Sequence, residues 1–160
     1  MGTGKSSVGR MLAQMTGMEF IDLDALIIKE AGRSINDIFA SEGERYFRDL
    51  ETSVLRKISH RDNMIIATGG GAVLAGENRT IFRQMGVVVN LIASPENISC
   101  RLQGADDRPL LKNGGEQGRI TRLMLERELF YADADIRIDT DDKKIEDVAA
   151  EIMSLMQQVT

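Results

Sequence analysis

The segment Gly2-Thr3-Gly4-Lys5-Ser6-Ser7 precedes a stretch, Ser6 to Met15, that carries Val8, Met11, Leu12 and Met15 on one helical face. Binding a phosphate takes several donors converging on one point. Backbone N–H groups converge that way only where the chain curls tightly, which glycine permits. A helix starting at the curl adds its free N–H groups and the positive end of its dipole. In the pattern G-x-x-x-x-G-K-[ST] the lysine reaches the β- and γ-phosphates and the following hydroxyl ligates Mg²⁺. Those roles fall to Lys5 and Ser6. The first glycine of the pattern would lie two places before Met1.

Three further groups of residues carry chemistry. Asp22 and Asp24 stand two apart at the end of the apolar run Glu19-Phe20-Ile21-Asp22. In an extended chain they share a face. Two carboxylates there suit a metal-bound water and the proton of a substrate hydroxyl, or else Asp24 simply caps the next helix. Thr68-Gly69-Gly70-Gly71-Ala72 comes after the run Met64–Ala67 and allows close backbone approach to a ligand, or a tight turn with none. Arg48, Arg101, Arg108 and Arg127 fall near loops or helix ends on the same side of the predicted elements. Singly each reads as a solvated charge; together they suit bidentate capture of carboxylate and phosphate. Glu51, three residues after Arg48, is spaced to hold its guanidinium. His60 is the single histidine and reads as a surface residue at a helix end. With one cysteine, Cys100, there is no zinc pattern and no internal disulfide. The nine methionines read as core filler.

The elements that must position these residues alternate. Apolar runs at Glu19–Asp22, Met64–Ala67, Val87–Ile92 and Ile136–Ile138 predict strands, the third apolar enough to be covered on both faces. Between them, Ser34 predicts a helix cap. Ser41-Glu42-Gly43-Glu44 predicts a second helix start by its capping-box pattern, and Ser94-Pro95 a third. A final helix is expected from about Ile145 to Gln157. This alternation predicts an α/β domain with a parallel sheet, one domain over 160 residues. The polar stretch Gly104 to Gly118, with Asp106-Asp107-Arg108-Pro109, is a candidate lid. A net charge of −5 offers no basic field for nucleic acid. No apolar run approaches the roughly 18 residues of a membrane span. No signal peptide is visible. Met1 to Ser6 formally matches a myristoylation pattern but is better explained as a phosphate loop.

Taken in order, Gly2-Thr3-Gly4-Lys5-Ser6-Ser7, Asp22-Leu23-Asp24, Gly32-Arg33-Ser34-Ile35, Phe47-Arg48 with Glu51, Gly69-Gly70-Gly71-Ala72, Arg108-Pro109-Leu110, and Arg127 with Tyr131 resemble the shikimate kinase family over nearly the whole chain. The resemblance implies a three-layer nucleoside-monophosphate-kinase-like fold. Its five-stranded parallel sheet runs in the order 2-3-1-4-5, with strand 1 missing here and a lid at about residues 103–118. It implies ATP and Mg²⁺ as cofactors and phosphoryl transfer to the 3-hydroxyl of shikimate. ATP contacts are implied for Gly2, Thr3, Gly4, Lys5, Ser6, Ser7, Arg101 and Arg108, and Mg²⁺ for Ser6 and Asp22. Shikimate contacts are implied for Asp24, Arg48, Gly69, Gly70, Gly71 and Arg127. Lys5, Asp24 and Arg108 are the implied catalytic residues, with Asp24 the candidate base. A cytoplasmic monomer acting on a small molecule, with neither nucleic acid nor membrane as partner, is expected. A gluconate-type kinase and a truncated, non-catalytic ligand-binding module are the alternatives. The family's proline after the last strand is absent from Asp139 to Ile145, a departure on the adenine side. About ten upstream residues, a β-branched run and a glycine, are expected to complete the loop. Without them, or a partner's strand, the chain is expected to be unstable or poorly active.

Overall fold

The computed structural model describes residues 2–102 and 116–159. Gly4 adopts the left-handed conformation, φ 88°, and turns the chain into α1, Lys5–Thr16. β1 comes next at Glu19–Asp22 and runs directly into α2, Leu23–Ala31. The cap of α2 is Asp22, whose carboxylate accepts the Ala25 N–H at 3.2 Å. Asp24, for which capping is the alternative reading from sequence, sits in the first turn, because the helix begins as soon as the strand ends.

Ser34 and Asp37 form the reciprocal capping box of α3, Ile35–Ile58. The second start expected at Ser41-Glu42-Gly43-Glu44 is present: Gly43 leaves helical geometry, φ 84°, ψ 175°, and two helical segments meet at a kink there. Ser41 is not its cap, since its hydroxyl donates back to the Asp37 carbonyl at 2.8 Å. β2, Met64–Ala67, leads into a 3-10 turn at Ala72–Leu74 and then α4, Gly76–Met85. β3 spans Val89–Ile92, two residues later than the apolar run predicts, since the Val88 N–H is taken by the Asp135 carboxylate at 2.7 Å. The Ser94 hydroxyl accepts the Asn97 N–H at the start of α5, Pro95–Leu102. α6 spans Glu116–Tyr131, β4 Ile136–Asp139 and α7 Ile145–Val159.

β1 and β2 pair in parallel, Glu19 opposite Met64 through Asp22 opposite Ala67. β3 and β4 do the same, Val89 opposite Ile136 through Ile92 opposite Asp139. Both pairings are parallel, as expected, and among the described residues the strands form two two-stranded sheets. The two pairings match the 2-3 and 4-5 neighbours of the expected order. The inner edges, β2 and β3, wall a channel of about 540 Å³, floored by Val8 and Leu12 of α1.

Helices cover both faces. Met64 and Ile66 of β2 pack with Leu23, Ile27, Phe47, Val54, Leu55 and Ile81. Ile65, between them in the strand, packs on the other side with Val8, Leu12, Val148 and Ile152. Period-2 alternation thus divides the core into two layers around the strands. A third cluster, Ile98, Leu102 and Ile120, joins α5 to α6. Among the described residues no helix is long and apolar enough to cross a membrane.

Gly9 lets α1 lie against β1: a Cβ there would come within 2.7 Å of Phe20 Cε2. Gly9→Ala is therefore expected to cost about 1–3 kcal/mol, the usual penalty of overpacking. A urea unfolding curve should show a lower midpoint at unchanged slope.

Candidate active site

The phosphate side is built at the start of α1. Thr3 is buried, and its hydroxyl accepts from Lys5 Nζ at 3.4 Å. The Ser6 hydroxyl donates to Asp22 Oδ2 at 2.8 Å, while the other Asp22 oxygen caps α2. A helix start and a strand end thus bring together two oxygen ligands sixteen residues apart. A hydroxyl and one carboxylate suit Mg²⁺, which keeps several waters and takes few protein ligands. α5 lies over this loop, since a Cβ on Gly2 would meet Ile98 Cγ2 and Leu102 Cγ at 3.1 Å.

Arg101, on α5, points to the strand ends. Its Nη1 donates to Thr140 Oγ1 at 3.1 Å and its Nη2 to the Thr140 carbonyl at 3.0 Å. The Thr140 hydroxyl in turn donates to the Ile92 carbonyl at 2.9 Å. The arginine therefore ties α5 to the ends of β3 and β4. Asp141 completes this corner by accepting the Ser94 N–H at 2.9 Å. Desolvation pushes the Asp141 carboxyl up, but the bonds from Ser94 and Asn97 and the Arg101 charge outweigh it and hold the group below its ordinary value.

The other side is the glycine corner after β2. Carbonyls of Gly69 and Gly71 accept the N–H groups of Ala72 and Leu74 at 3.1 and 3.0 Å, which closes the turn. A Cβ on Gly71 would lie 2.2 Å from Arg48 Nη2. One on Gly69 would lie 2.8 Å from Asp24 Oδ1 and 3.3 Å from Glu51 Oε1. Three charged side chains from α2 and α3 thus close on a corner that has no side chains of its own. Arg48 Nη1 donates to Glu51 Oε2 at 2.9 Å, the pairing its i, i+3 spacing predicts. Its Nη2 reaches Glu44, one turn earlier, at 3.2 Å. Glu44 carries the i, i+4 signal for this role, although in sequence its place in the capping-box pattern points only to a helix start.

Arg127, on α6, is 7% exposed, and its charge is felt at Glu51. Glu51 is fully buried. Burial pushes its carboxyl up; Arg48 pulls it down, by charge and by hydrogen bond, and neighbouring Asp24 adds to the rise before the weaker pull of Arg127. The net direction is upward. Arg48 Nε and Glu51 Oε1 are buried without a hydrogen-bond partner among the described residues. Such unmet polar atoms mark where a polar ligand or water belongs.

Asp24, Arg48, Gly69, Gly70, Gly71 and Arg127 therefore converge, while Lys5, Ser6 and Asp22 form the neighbouring phosphate side. Arg101 stands apart, engaged with Thr140. Arg108, and residues 103–115 of the expected lid, lie outside the described residues. His60 is exposed just beyond α3, in keeping with a surface role. Tyr131 does more than its motif position implies: its hydroxyl donates to the Gly70 carbonyl. The i, i+4 spacing from Arg127, which puts both on one face of α6, is the sequence signal for it.

A glycine turn feeding a helix start, with a hydroxyl and a carboxylate joined beside it at the carboxyl end of a parallel strand, defines a P-loop phosphotransferase of the small-molecule kinase class. The family model described as shikimate kinase matches residues 1–157. A shikimate kinase of Geobacter metallireducens is 53% identical over 157 residues, covering 98% of this chain and 88% of the relative. One from Symbiobacterium thermophilum is 47% identical, covering 99% and 92%. Among solved structures, shikimate kinase from Acinetobacter baumannii in complex with shikimate matches at TM-score 0.97 and 36% identity, covering 100% of this chain and 90% of that one. The enzyme from Aquifex aeolicus matches at 0.83 and 35%, covering 99% and 92%. The chain belongs to the shikimate kinase family.

Because its carboxyl is raised in the fold, Glu51 contributes stability that is full below its unfolded value, about 4.3, and is lost as pH rises through the folded value. Glu51→Gln removes that loss. The melting temperature of the variant relative to wild type should therefore climb as pH rises above about 4, while its KM for shikimate rises as Arg48 loses its anchor. Thermal scans across pH, paired with steady-state kinetics, check both.

Proposed function

We propose that this protein transfers the γ-phosphoryl group of ATP to the 3-hydroxyl of shikimate, giving shikimate 3-phosphate and ADP in the biosynthesis of chorismate and the aromatic amino acids. The observation that carries this reading is the glycine corner. One carboxylate, Asp24, and one guanidinium, Arg48, press on Gly69 and Gly71, with Arg127 buried nearby. Shikimate has one carboxylate and three hydroxyls. Two arginines suit the carboxylate and an aspartate suits a hydroxyl.

In this reading Arg48 and Arg127 hold the carboxylate and the glycine backbone closes over the ring. Asp24 orients the 3-hydroxyl and takes its proton as the oxygen bonds to the γ-phosphorus and the bond to the bridging oxygen of ADP breaks. Lys5, the N–H groups of Gly2 to Ser7 and Arg108 bind the phosphates. Ser6 and Asp22 would hold Mg²⁺, which supplies charge neutralisation for the phosphate oxygens. Arg101 lies on the adenine side. Phosphoryl transfer depends mainly on positioning and charge neutralisation, which matches a site rich in cations and without a nucleophilic cysteine or histidine among its residues. The protein acts as a single-domain, monomeric, cytoplasmic enzyme in this account.

ADP release in a coupled assay should depend on shikimate; ADP formed equally without it would sink the proposal. Lys5→Ala and Asp24→Asn should each cut kcat by about a hundredfold or more. Arg127→Ala should mainly raise KM for shikimate. Near-wild-type kcat in the first pair would remove the assigned roles.

A further inference from the structure

The Gly69–Gly71 turn has three carbonyls. Those of Gly69 and Gly71 are occupied within the turn itself. That of Gly70 is not; it accepts from the hydroxyl of Tyr131 at the end of α6, sixty-one residues away in sequence. A peptide unit is planar and trans, so its C=O and N–H point in opposite directions. Drawing the Gly70 carbonyl toward Tyr131 therefore turns the Gly71 N–H to the opposite side. Rotation of that one peptide would swing both groups beside the Gly71 Cα, against which Arg48 packs.

The tyrosine is itself held from three directions. Its carbonyl accepts from Asn90 Nδ2 of β3 at 3.4 Å. The preceding residue, Phe130, lies under the Arg79 guanidinium, 4.7 Å from the ring centroid. The same Arg79 donates to the carbonyls of Val73 and Leu74, at 2.6 and 3.1 Å, in the 3-10 turn just beyond the glycines. Arg83, one turn on in α4, pairs with Asp133 just past α6. Tyr131 and Arg127 share a face of α6. The helix that carries one proposed carboxylate ligand thus also grips, through a different side chain, the turn against which the other ligand packs.

We propose that Tyr131 is a positioning residue for the acidic substrate: its hydroxyl fixes the Gly70–Gly71 peptide and so sets the distance between the Arg48 and Arg127 guanidinium groups across the carboxylate site. Arg79 is the brace that keeps Tyr131 and the turn in register. The proposal rests on the shikimate kinase reading for its substrate, and on the bond from Tyr131 to Gly70 for its mechanism. Neither the phosphate loop nor the Ser6–Asp22 pair takes part, so the effect should fall on one substrate only.

Tyr131→Phe keeps the ring and deletes the hydroxyl. In the full chain, KM for shikimate should rise about fivefold, the usual effect of one lost hydrogen bond, with KM for ATP unchanged. In ligand-free protein, amide hydrogen exchange at Gly70 and Gly71 should quicken. A shikimate KM equal to wild type, or equal rises in both KM values, would overturn the proposal. So would unchanged exchange at the two glycines. Wild-type protein that shows no shikimate-dependent ADP release would defeat the substrate reading instead, and the exchange rates would still decide whether Tyr131 sets the turn.

Discussion

The site depends on the absence of two β-carbons. Gly69 and Gly71 leave a space that Asp24, Arg48 and Glu51 fill, and a methyl group at Gly71 would overlap the Arg48 guanidinium at 2.2 Å. The close approach brings opposite charges together where water is largely excluded, so each interaction is stronger than at the surface. The same burial has a cost. Glu51 is completely enclosed and one of its oxygens has no partner among the described residues. The carboxyl is accordingly pushed up. Local stability is given up there for a guanidinium held in one place, a trade common at functional sites.

The parallel architecture explains why these groups meet at all. Within each pair the strands end together, Asp22 opposite Ala67 and Ile92 opposite Asp139. The segments that leave those ends carry the site: α2 with Asp24, the glycine corner, Ser94 with α5, and Thr140 with Asp141. The channel between β2 and β3 has Thr3, Lys5, Gly70, Arg127 and Tyr131 in its lining. The phosphate loop and the glycine corner thus border one feature. α1 touches both halves, with Leu12 packed near β3 and β4 and Gly9 against Phe20 of β1.

Much of this was legible in the sequence because it is local. The four apolar runs became the four strands, the Ser34 cap is present, and Lys5 and Ser6 sit at a helix start behind a left-handed glycine. The Arg48–Glu51 pair also comes from spacing alone. The departures have local causes with non-local outcomes. Asp22, not Asp24, caps α2 because strand and helix share a boundary, which leaves Asp24 available to the corner. The second helical segment starts at the Gly43 kink rather than on Ser41, whose hydroxyl is taken by the Asp37 carbonyl. Arg101 and Tyr131 find partners thirty-nine and sixty-one residues away. No window of sequence contains both halves of such a contact.

The central claim is that the bare glycine corner and Arg48 are one interlocked unit that selects the acidic substrate. Steady-state kinetics of Gly71→Ala test it most directly. An added β-carbon must displace the guanidinium, so KM for shikimate should rise at least tenfold, about 1.4 kcal/mol or more of lost binding, with KM for ATP close to wild type. A variant that binds shikimate as tightly as the wild type, or that loses both substrates equally, would contradict it.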